Sequence, residues 1–312
     1  MSGRKPEFTH RSVLLDEILE FFTGLVGETI VDATLGLGGH TEAILEALAT
    51  TRVIGIDQDA AALSMASERL ARFGDRFEVR HANFSDIAAI VEKNSVAGII
   101  ADLGVSSMQL DDISRGFSFR FDAPLDMRMN REEGQTAAEL LAELDQEALA
   151  NVIYEFGEER KSRRIARRII EKREAGEPIE TTRQLAELIE RTVRRGPNDK
   201  IHPATRTFQA LRIAVNRELE LIEGFIDDSL NILKKDGILA VITFHSLEDR
   251  IVKNRFQLLN GKCICPPRIP MCMCGAEKKI EILTRKPIVP SEREQNENPR
   301  SRSAKLRGFR KL

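Results

Sequence analysis

Short apolar runs alternate with helix-period stretches through the first third of the chain. Thr29–Asp32 is an apolar run that ends in an acid and leads into glycines. Arg52–Asp57 is a second run ending in an acid, residues 77–80 form a weaker third, and Val96–Asp102 is the fourth. Between them, residues 41–49 and 60–73 repeat apolar positions at helical spacing. Strand–helix alternation of this kind predicts right-handed crossovers and a parallel sheet.

The alternation breaks near Leu110. Residues 136–145, 146–156, 158–175 and 182–194 read as helices, and no strand is predicted between 110 and 203. Arg195-Gly196-Pro197-Asn198-Asp199 is a turn-rich exit from this helical stretch. Residues 205–234 then read as one long helix and 237–244 as a buried fifth strand. Residues 279–284 and 304–310 can pair as antiparallel strands, with 291–303 a polar, exposed loop between them.

Composition narrows the class only a little. The 312 residues are 42% hydrophobic, enough for a sizeable core, and 31% charged with a net charge of −2. That balance does not announce a nucleic-acid binder, so local clustering has to be read instead. Trp is absent and Tyr occurs once, so stacking on bases would use Phe or His. No signal-peptide pattern opens the chain and no apolar run reaches the length of a membrane span, so the expected location is cytoplasmic, with no membrane partner.

The loop Val31-Asp32-Ala33-Thr34-Leu35-Gly36-Leu37-Gly38-Gly39-His40 follows a strand and opens a helix. Glycines there allow positive φ and a close backbone approach to a ligand. A nucleotide cofactor of a dehydrogenase could use such a turn, but the spacing is not a clean G-x-G-x-x-G. Asp57, at the next strand end, is placed to accept from ribose hydroxyls; its other reading is a helix N-cap, with Asp59 competing for that role. Asp102 closes the fourth strand in the same way. Ligands of open α/β sheets bind beyond the strands' carboxyl ends, so Asp32, Asp57 and Asp102 are expected to share one crevice. Acids flanking the loop suit the cationic sulfonium of S-adenosylmethionine better than a diphosphate.

Several long motifs resemble one family. They are Phe8-Thr9-His10-Arg11-Ser12-Val13-Leu14-Leu15-Asp16-Glu17, the loop ending Gly38-Gly39-His40, Asp102-Leu103-Gly104-Val105-Ser106-Ser107-Met108-Gln109-Leu110-Asp111-Asp112, and His202-Pro203-Ala204-Thr205-Arg206-Thr207-Phe208-Gln209-Ala210-Leu211-Arg212. Arg115-Gly116-Phe117-Ser118-Phe119, Pro124-Leu125-Asp126-Met127-Arg128-Met129 and Phe244-His245-Ser246-Leu247-Glu248-Asp249-Arg250 agree with them. Together they resemble the bacterial small-subunit rRNA cytosine-N-4 methyltransferase family, known as RsmH or MraW. The resemblance implies a class I methyltransferase (Rossmann-like) α/β fold with a mostly parallel seven-stranded sheet and an inserted all-α subdomain. Residues 1–109 and 204–312 are then the S-adenosylmethionine-binding domain and 110–203 the substrate-recognition domain. It also implies the substrate, a decoding-centre cytidine of 16S rRNA in the small ribosomal subunit. The implied cofactor contacts are Gly38, Gly39, His40, Asp57, Phe84, Asp102 and Gln109; Phe84 packs on adenine or is simply a core residue. A second copy of the chain is a further candidate partner.

The cytosine amino nitrogen is a poor nucleophile, so an acceptor for its hydrogens would help the transfer. Asp102 is the catalytic candidate, although the resemblance gives the same residue to the cofactor. The Asp/Asn-Pro-Pro-Tyr/Phe tetrapeptide of amino methyltransferases is absent, and Asp102-Leu103-Gly104-Val105 stands in its place. His202, Arg206, Asn216 and His245 are candidate substrate contacts; Arg206 and Asn216 can equally brace the long helix. Cys263, Cys265, Cys272 and Cys274 offer four thiolates to a structural zinc, or stand as reduced thiols in a surface loop.

Two basic clusters are candidates for phosphate binding. Residues 158–174 hold eight basic side chains against four acids, and 285–312 hold nine against three. The tail, being less balanced, is the stronger RNA candidate on sequence. Two other functions compete with methyl transfer. An NAD-linked oxidoreductase would need a pyrophosphate loop and a hydride-transfer site. A non-catalytic RNA-binding assembly factor would not need the acids and glycines to be in place.

Overall fold

The computed structural model describes residues 12–193, 201–263, 265, 273 and 276–312. The chain begins with α1 (Leu15–Phe22), β1 (Thr29–Asp32), α2 (Gly39–Ala47), β2 (Arg52–Asp57), α3 (Ala60–Leu70), β3 (Phe77–His81), α4 (Ile87–Ile90) and β4 (Val96–Asp102). Six helices follow: α5 (Ser107–Asp111), α6 (Ala137–Glu143), α7 (Gln146–Gly157), α8 (Ser162–Glu174), α9 (Thr182–Thr192) and α10 (Thr205–Asn216). It closes with α11 (Glu218–Ile232), β5 (Leu233–Thr243), α12 (Ser246–Leu259), β6 (Ile280–Ile282), α13 (Glu292–Glu297) and β7 (Lys305–Lys311).

Two compact units result. The first comprises the chain up to Gly104 together with Glu220–Leu312, and the second is Val105–Leu219. The first is built on one seven-stranded sheet in the order β3-β2-β1-β4-β5-β7-β6. β1 to β5 run parallel, and β7 pairs antiparallel with both β5 and β6. This is the class I methyltransferase sheet. Helices lie against it because their apolar residues recur every three or four positions. Leu14, Ile18 and Phe22 project from one side of α1 and are fully buried with Ile44 and Leu45 of α2 and Ile30, Ile100 and Ile242 of the sheet. Each such side chain contributes about 1.5–3 kcal/mol by leaving water.

The second unit has its own core. Leu149, Ile153, Ile165, Ile169, Leu185, Ile189, Phe208 and Leu211 meet at its centre, drawn from α7, α8, α9 and α10. Because Phe208 and Leu211 belong to that core, the helical unit extends beyond residues 110–203 and takes in α10.

Two readings of the sequence are corrected. The long helix over 205–234 is two helices, broken at Arg217, whose φ of 51° is left-handed and ends α10. Residues 291–303 are not a loop but α13 and a following 3₁₀ turn, capped by Ser291 and Asn298. This segment is tied into its unit, since the Leu14 backbone N–H donates to Glu294 Oε1 at 2.8 Å.

Candidate active site

The glycine loop takes its shape from two acids. β1 delivers Asp32, and the chain then turns through Gly36 (φ 50°) and Gly38 (φ 76°), where α2 starts. Positive φ is accessible to glycine without the penalty a Cβ brings. A Cβ on Gly36 would meet nothing within 4 Å, whereas one on Gly38 would lie 2.8 Å from Leu70 Cδ1. The loop is held from the next strand: Gly36 N–H donates to Asp57 Oδ2 at 2.7 Å, and Asp59 N–H donates to Asp57 Oδ1 at 2.9 Å. Asp59, not Asp57, caps α3, accepting from the backbone of Ala61 and Ala62. Burial pushes the Asp57 carboxyl above its ordinary range, against the pull of those backbone donors.

Asp32 is buried. Its Oδ2 accepts from Thr41 Oγ1 at 2.7 Å and its Oδ1 from Thr34 N–H at 3.3 Å. Desolvation pushes its pKa up to about 6, opposed by nearby His40 and by the Thr41 and Thr34 hydrogen bonds. Thr34 also ties β1 to β4, because its Oγ1 accepts from Asp102 N–H at 2.6 Å. Beside this pair stands His40, in the first turn of α2. Its Nε2 is 3.7 Å from Asp102 Oδ2. Among the described residues, His40 Nδ1, His40 Nε2 and Asp102 Oδ1 are buried without a hydrogen-bond partner. Buried polar atoms ordinarily have partners, and three orphans in one place mark where an external ligand would complete the network. The donor set, carboxylates and imidazole around a glycine turn, suits in its chemistry a cationic ligand such as adenosylmethionine.

Phe84 follows β3 and packs edge-on against Phe225, with ring centroids 5.3 Å apart. The turn before it is fixed to β2, since Asn83 Nδ2 donates to Gln58 Oε1 at 2.9 Å and Ala82 N–H to Asp57 O at 3.0 Å. Gly38, Gly39, His40, Asp57, Phe84 and Asp102 therefore all lie in the first unit, at the carboxyl edge of β1 to β4. Gln109 is in the second unit, where its Oε1 accepts from Ser106 N–H at 3.0 Å in a capping box on α5.

The other candidates hold structural contacts. Asn216 uses its whole amide: Nδ2 donates to Met127 O and Arg212 O, and Oδ1 accepts from Met129 N–H, each at 2.8 Å. It braces a segment in which Met127 itself is left-handed (φ 63°). His202 Nδ1 accepts from Ala204 N–H at 3.1 Å, which leaves Nε2 to donate to Glu190 Oε1 at 2.6 Å, and its ring packs on Phe119. Arg206 is exposed, with Nη1 3.5 Å from Glu158 O. His245 caps α12 in a box with Glu248, whose Oε1 is 3.0 Å from His245 Nε2. Cys263 is exposed and Cys265 half-buried; Cys272 and Cys274 lie outside the described residues.

Among the described residues, four of the nine cations of the basic tail are ion-paired within the fold. Arg307 and Lys305 both donate to Asp249, Arg310 pairs with Glu281, and Arg293 with Glu297. Lys311 donates to Leu233 O and Asn94 Oδ1. Burial alone would raise Asp249, but the two cations hold its carboxyl below the ordinary range. Thr34 and Thr41 are the site residues the sequence reading passed over. A hydroxyl two and nine positions after a strand-terminal acid was the available signal.

No helix among the described residues is long and apolar enough to cross a membrane. Residues 7–312 match the MraW methylase family. The chain is 50% identical over 311 residues to a protein of Trichlorobacter lovleyi named ribosomal RNA small subunit methyltransferase H, covering 98% of this chain and 99% of that one. Proteins of the same name from Clostridium botulinum (50% identical; 98% and 100% covered) and Syntrophotalea carbinolica (51%; 98% and 98%) are similar to the same extent. A family match over nearly the whole length, joined to relatives sharing half their residues, leaves one assignment: the chain belongs to the MraW methylase family.

Proposed function

We propose that this chain is an S-adenosylmethionine-dependent methyltransferase of small-subunit ribosomal RNA, acting on the exocyclic N-4 amino group of a decoding-centre cytidine in 16S rRNA. The observation that carries the cofactor half is the set of atoms on His40 and Asp102, beside the loop held by Asp57, that have no partner among the described residues. The RNA half rests on the names of full-length relatives. The choice of cytidine N-4 rests on the motifs around Asp102, His202 and His245.

Adenosylmethionine, when bound, supplies an electrophilic methyl group on a cationic sulfur. Gly38 and Gly39 let the backbone approach it, and each Asp57 oxygen, having accepted one N–H, keeps a lone pair for a ribose hydroxyl. Phe84 offers a ring edge to the adenine. Asp102 Oδ1 would accept an amino hydrogen of cytosine, orienting the nitrogen lone pair, and would take up the proton released when the methyl passes from sulfur to nitrogen, the S–C bond's electron pair remaining on the departing neutral thioether. The target base is presented unpaired or flipped out. The helical unit containing residues 110–203 is the substrate-recognition element, and the reaction belongs to the cytoplasm.

The test is methyl transfer from labelled adenosylmethionine to purified ribosomal subunits from a strain lacking the modification. The reading expects label in small-subunit RNA alone. Label in large-subunit RNA, or none in either, would overturn it.

A further inference from the structure

The basic residues of α8 behave differently from those of the tail. Ser162, Ile165, Ala166, Ile169 and Ile170 form the buried stripe of this helix, so Arg163, Arg164, Arg167 and Arg168 project from the opposite, exposed face. Arg160 and Lys161 extend that face backwards into the turn from α7 and are also exposed. Towards the helix's C-terminal end the charges are compensated. Arg167 and Arg168 share Glu171, Lys172 pairs with Glu177, and Arg173 donates to three carbonyls at the end of α6.

At the other end they are not. Among the described residues, no acidic side chain lies within ion-pair distance of Arg160, Lys161, Arg163 or Arg164. The first turn of α8 contains no acid. Like charges three and four apart repel, and cations at this end of a helix oppose its dipole, so intrachain electrostatics gives no reason for the arrangement. A further cation is brought to the same turn from α10. Gly157 allows this, since a Cβ there would lie 2.5 Å from Arg206 O, and the Arg206 guanidinium rests on Glu158 O.

We propose that Arg160 and Lys161 of the α7–α8 turn and Arg163 and Arg164 of the first turn of α8, with Arg206, form a docking face for the phosphodiester backbone of the RNA substrate. The inference rests on the proposed RNA methyl transfer and specifies where that RNA is gripped. A row of exposed cations with no ion-pair partner among the described residues matches a polyanion by charge without reading its bases, which is the work of a positioning contact. In the tail, Arg293, Lys305, Arg307 and Arg310 are already paired with Glu297, Asp249 and Glu281, while Arg285, Lys286 and Arg302 stay exposed and are spread along the chain rather than gathered on one helix turn.

The experiment compares the full chain with the variant R160Q/K161Q/R163Q/R164Q, using unmodified 16S rRNA transcript and assembled small subunits over a range of salt concentrations. Glutamine keeps the helix propensity, and an unchanged adenosylmethionine Kd reports an intact first unit. Each lost phosphate contact removes roughly 0.7–0.9 from the slope of log K against log salt. The variant is expected to lose about 3 from that slope on both RNAs and to bind at least ~10-fold more weakly at low salt. Restoring lysines (R160K/R163K/R164K) should return most of both. If the parent binds and methylates while the glutamine variant keeps its slope, the docking face is wrong and the methyl-transfer reading stands. Unchanged binding to transcript with weakened binding to subunits would mean that the face meets ribosomal protein, which also overturns the proposal. If the parent neither binds nor methylates RNA, the functional reading falls, and this inference with it.

Discussion

His40 Nε2 stands 3.7 Å from Asp102 Oδ2, across the carboxyl edges of β1 and β4, and among the described residues neither ring nitrogen of His40 has a hydrogen-bond partner. Two polar side chains on different elements are thus held together, desolvated and incompletely satisfied. Such an arrangement is costly to the fold alone and useful once a polar ligand arrives. His40→Leu, which replaces the imidazole by an apolar group of similar volume, is therefore expected to leave the melting temperature of the ligand-free protein equal or higher. Its Kd for adenosylmethionine should rise at least ~10-fold, a loss of about 1.4 kcal/mol. Calorimetric melting and titration check both; a lower melting temperature with unchanged affinity would make His40 a structural residue.

Asp32 sets a pH dependence of unusual sign. Burial raises its carboxyl from 3.8 to about 6, so the folded chain holds this proton more tightly than the unfolded chain does. Between those values stability falls as pH rises, and above about 6 the full penalty is present, about 3 kcal/mol from a shift of about two units. Asp32→Asn should gain up to that amount at pH 7.5 and next to nothing at pH 3, below both values, while weakening cofactor binding. Denaturant titrations at the two pH values measure it; an equal effect at both would contradict the assignment.

Much of this site is legible in the sequence because its information is local. Strand periodicity ends at Asp32, Asp57 and Asp102, and those ends define the crevice without knowledge of any distant contact. The antiparallel β6–β7 pair is equally local in its alternation. What the sequence conceals depends on distant partners. The tail's cations look free until Arg307 is found on Asp249 and Arg310 on Glu281. Asn216 looks like a surface residue until its amide is found on Met127 and Met129, 89 and 87 positions away. The break at Arg217 has no glycine or proline to announce it, and an arginine in left-handed conformation carries no local signal.

Gly38 is limited twice, by its φ of 76° and by Leu70. Gly38→Ala is expected to cost about 1–2 kcal/mol for the backbone conformation alone, and more from the contact with Leu70 Cδ1. The contact part should vanish in a Leu70→Ala background. A double-mutant cycle would show Gly38→Ala costing less there than in the parent; strict additivity would mean that the loop relaxes away from α3.

Gly157 and Gly224 make an opposed pair. A Cβ at Gly157 meets the Arg206 carbonyl at 2.5 Å and Ala210 Cβ at 3.2 Å, so Gly157→Ala is expected to destabilise by about 1–3 kcal/mol as α7 and α10 are pushed apart. A Cβ at Gly224, an exposed position of α11, meets nothing within 4 Å. Gly224→Ala should stabilise by about 0.4–1 kcal/mol by reducing unfolded-state freedom. Thermal melting of the two variants should move in opposite directions, and a loss at Gly224 would show that its surroundings are tighter than they look.

The central claim is the position of the transferred methyl group. Small subunits lacking the modification, incubated with the purified chain and methyl-labelled adenosylmethionine, can be digested to nucleosides and separated by mass spectrometry. All label is expected in one N-4-methylated cytidine from the decoding centre. It should be lost in Asp57→Ala, which removes the acceptor for Gly36 N–H. Label on a ring carbon, on another nucleoside, or nowhere would contradict the account.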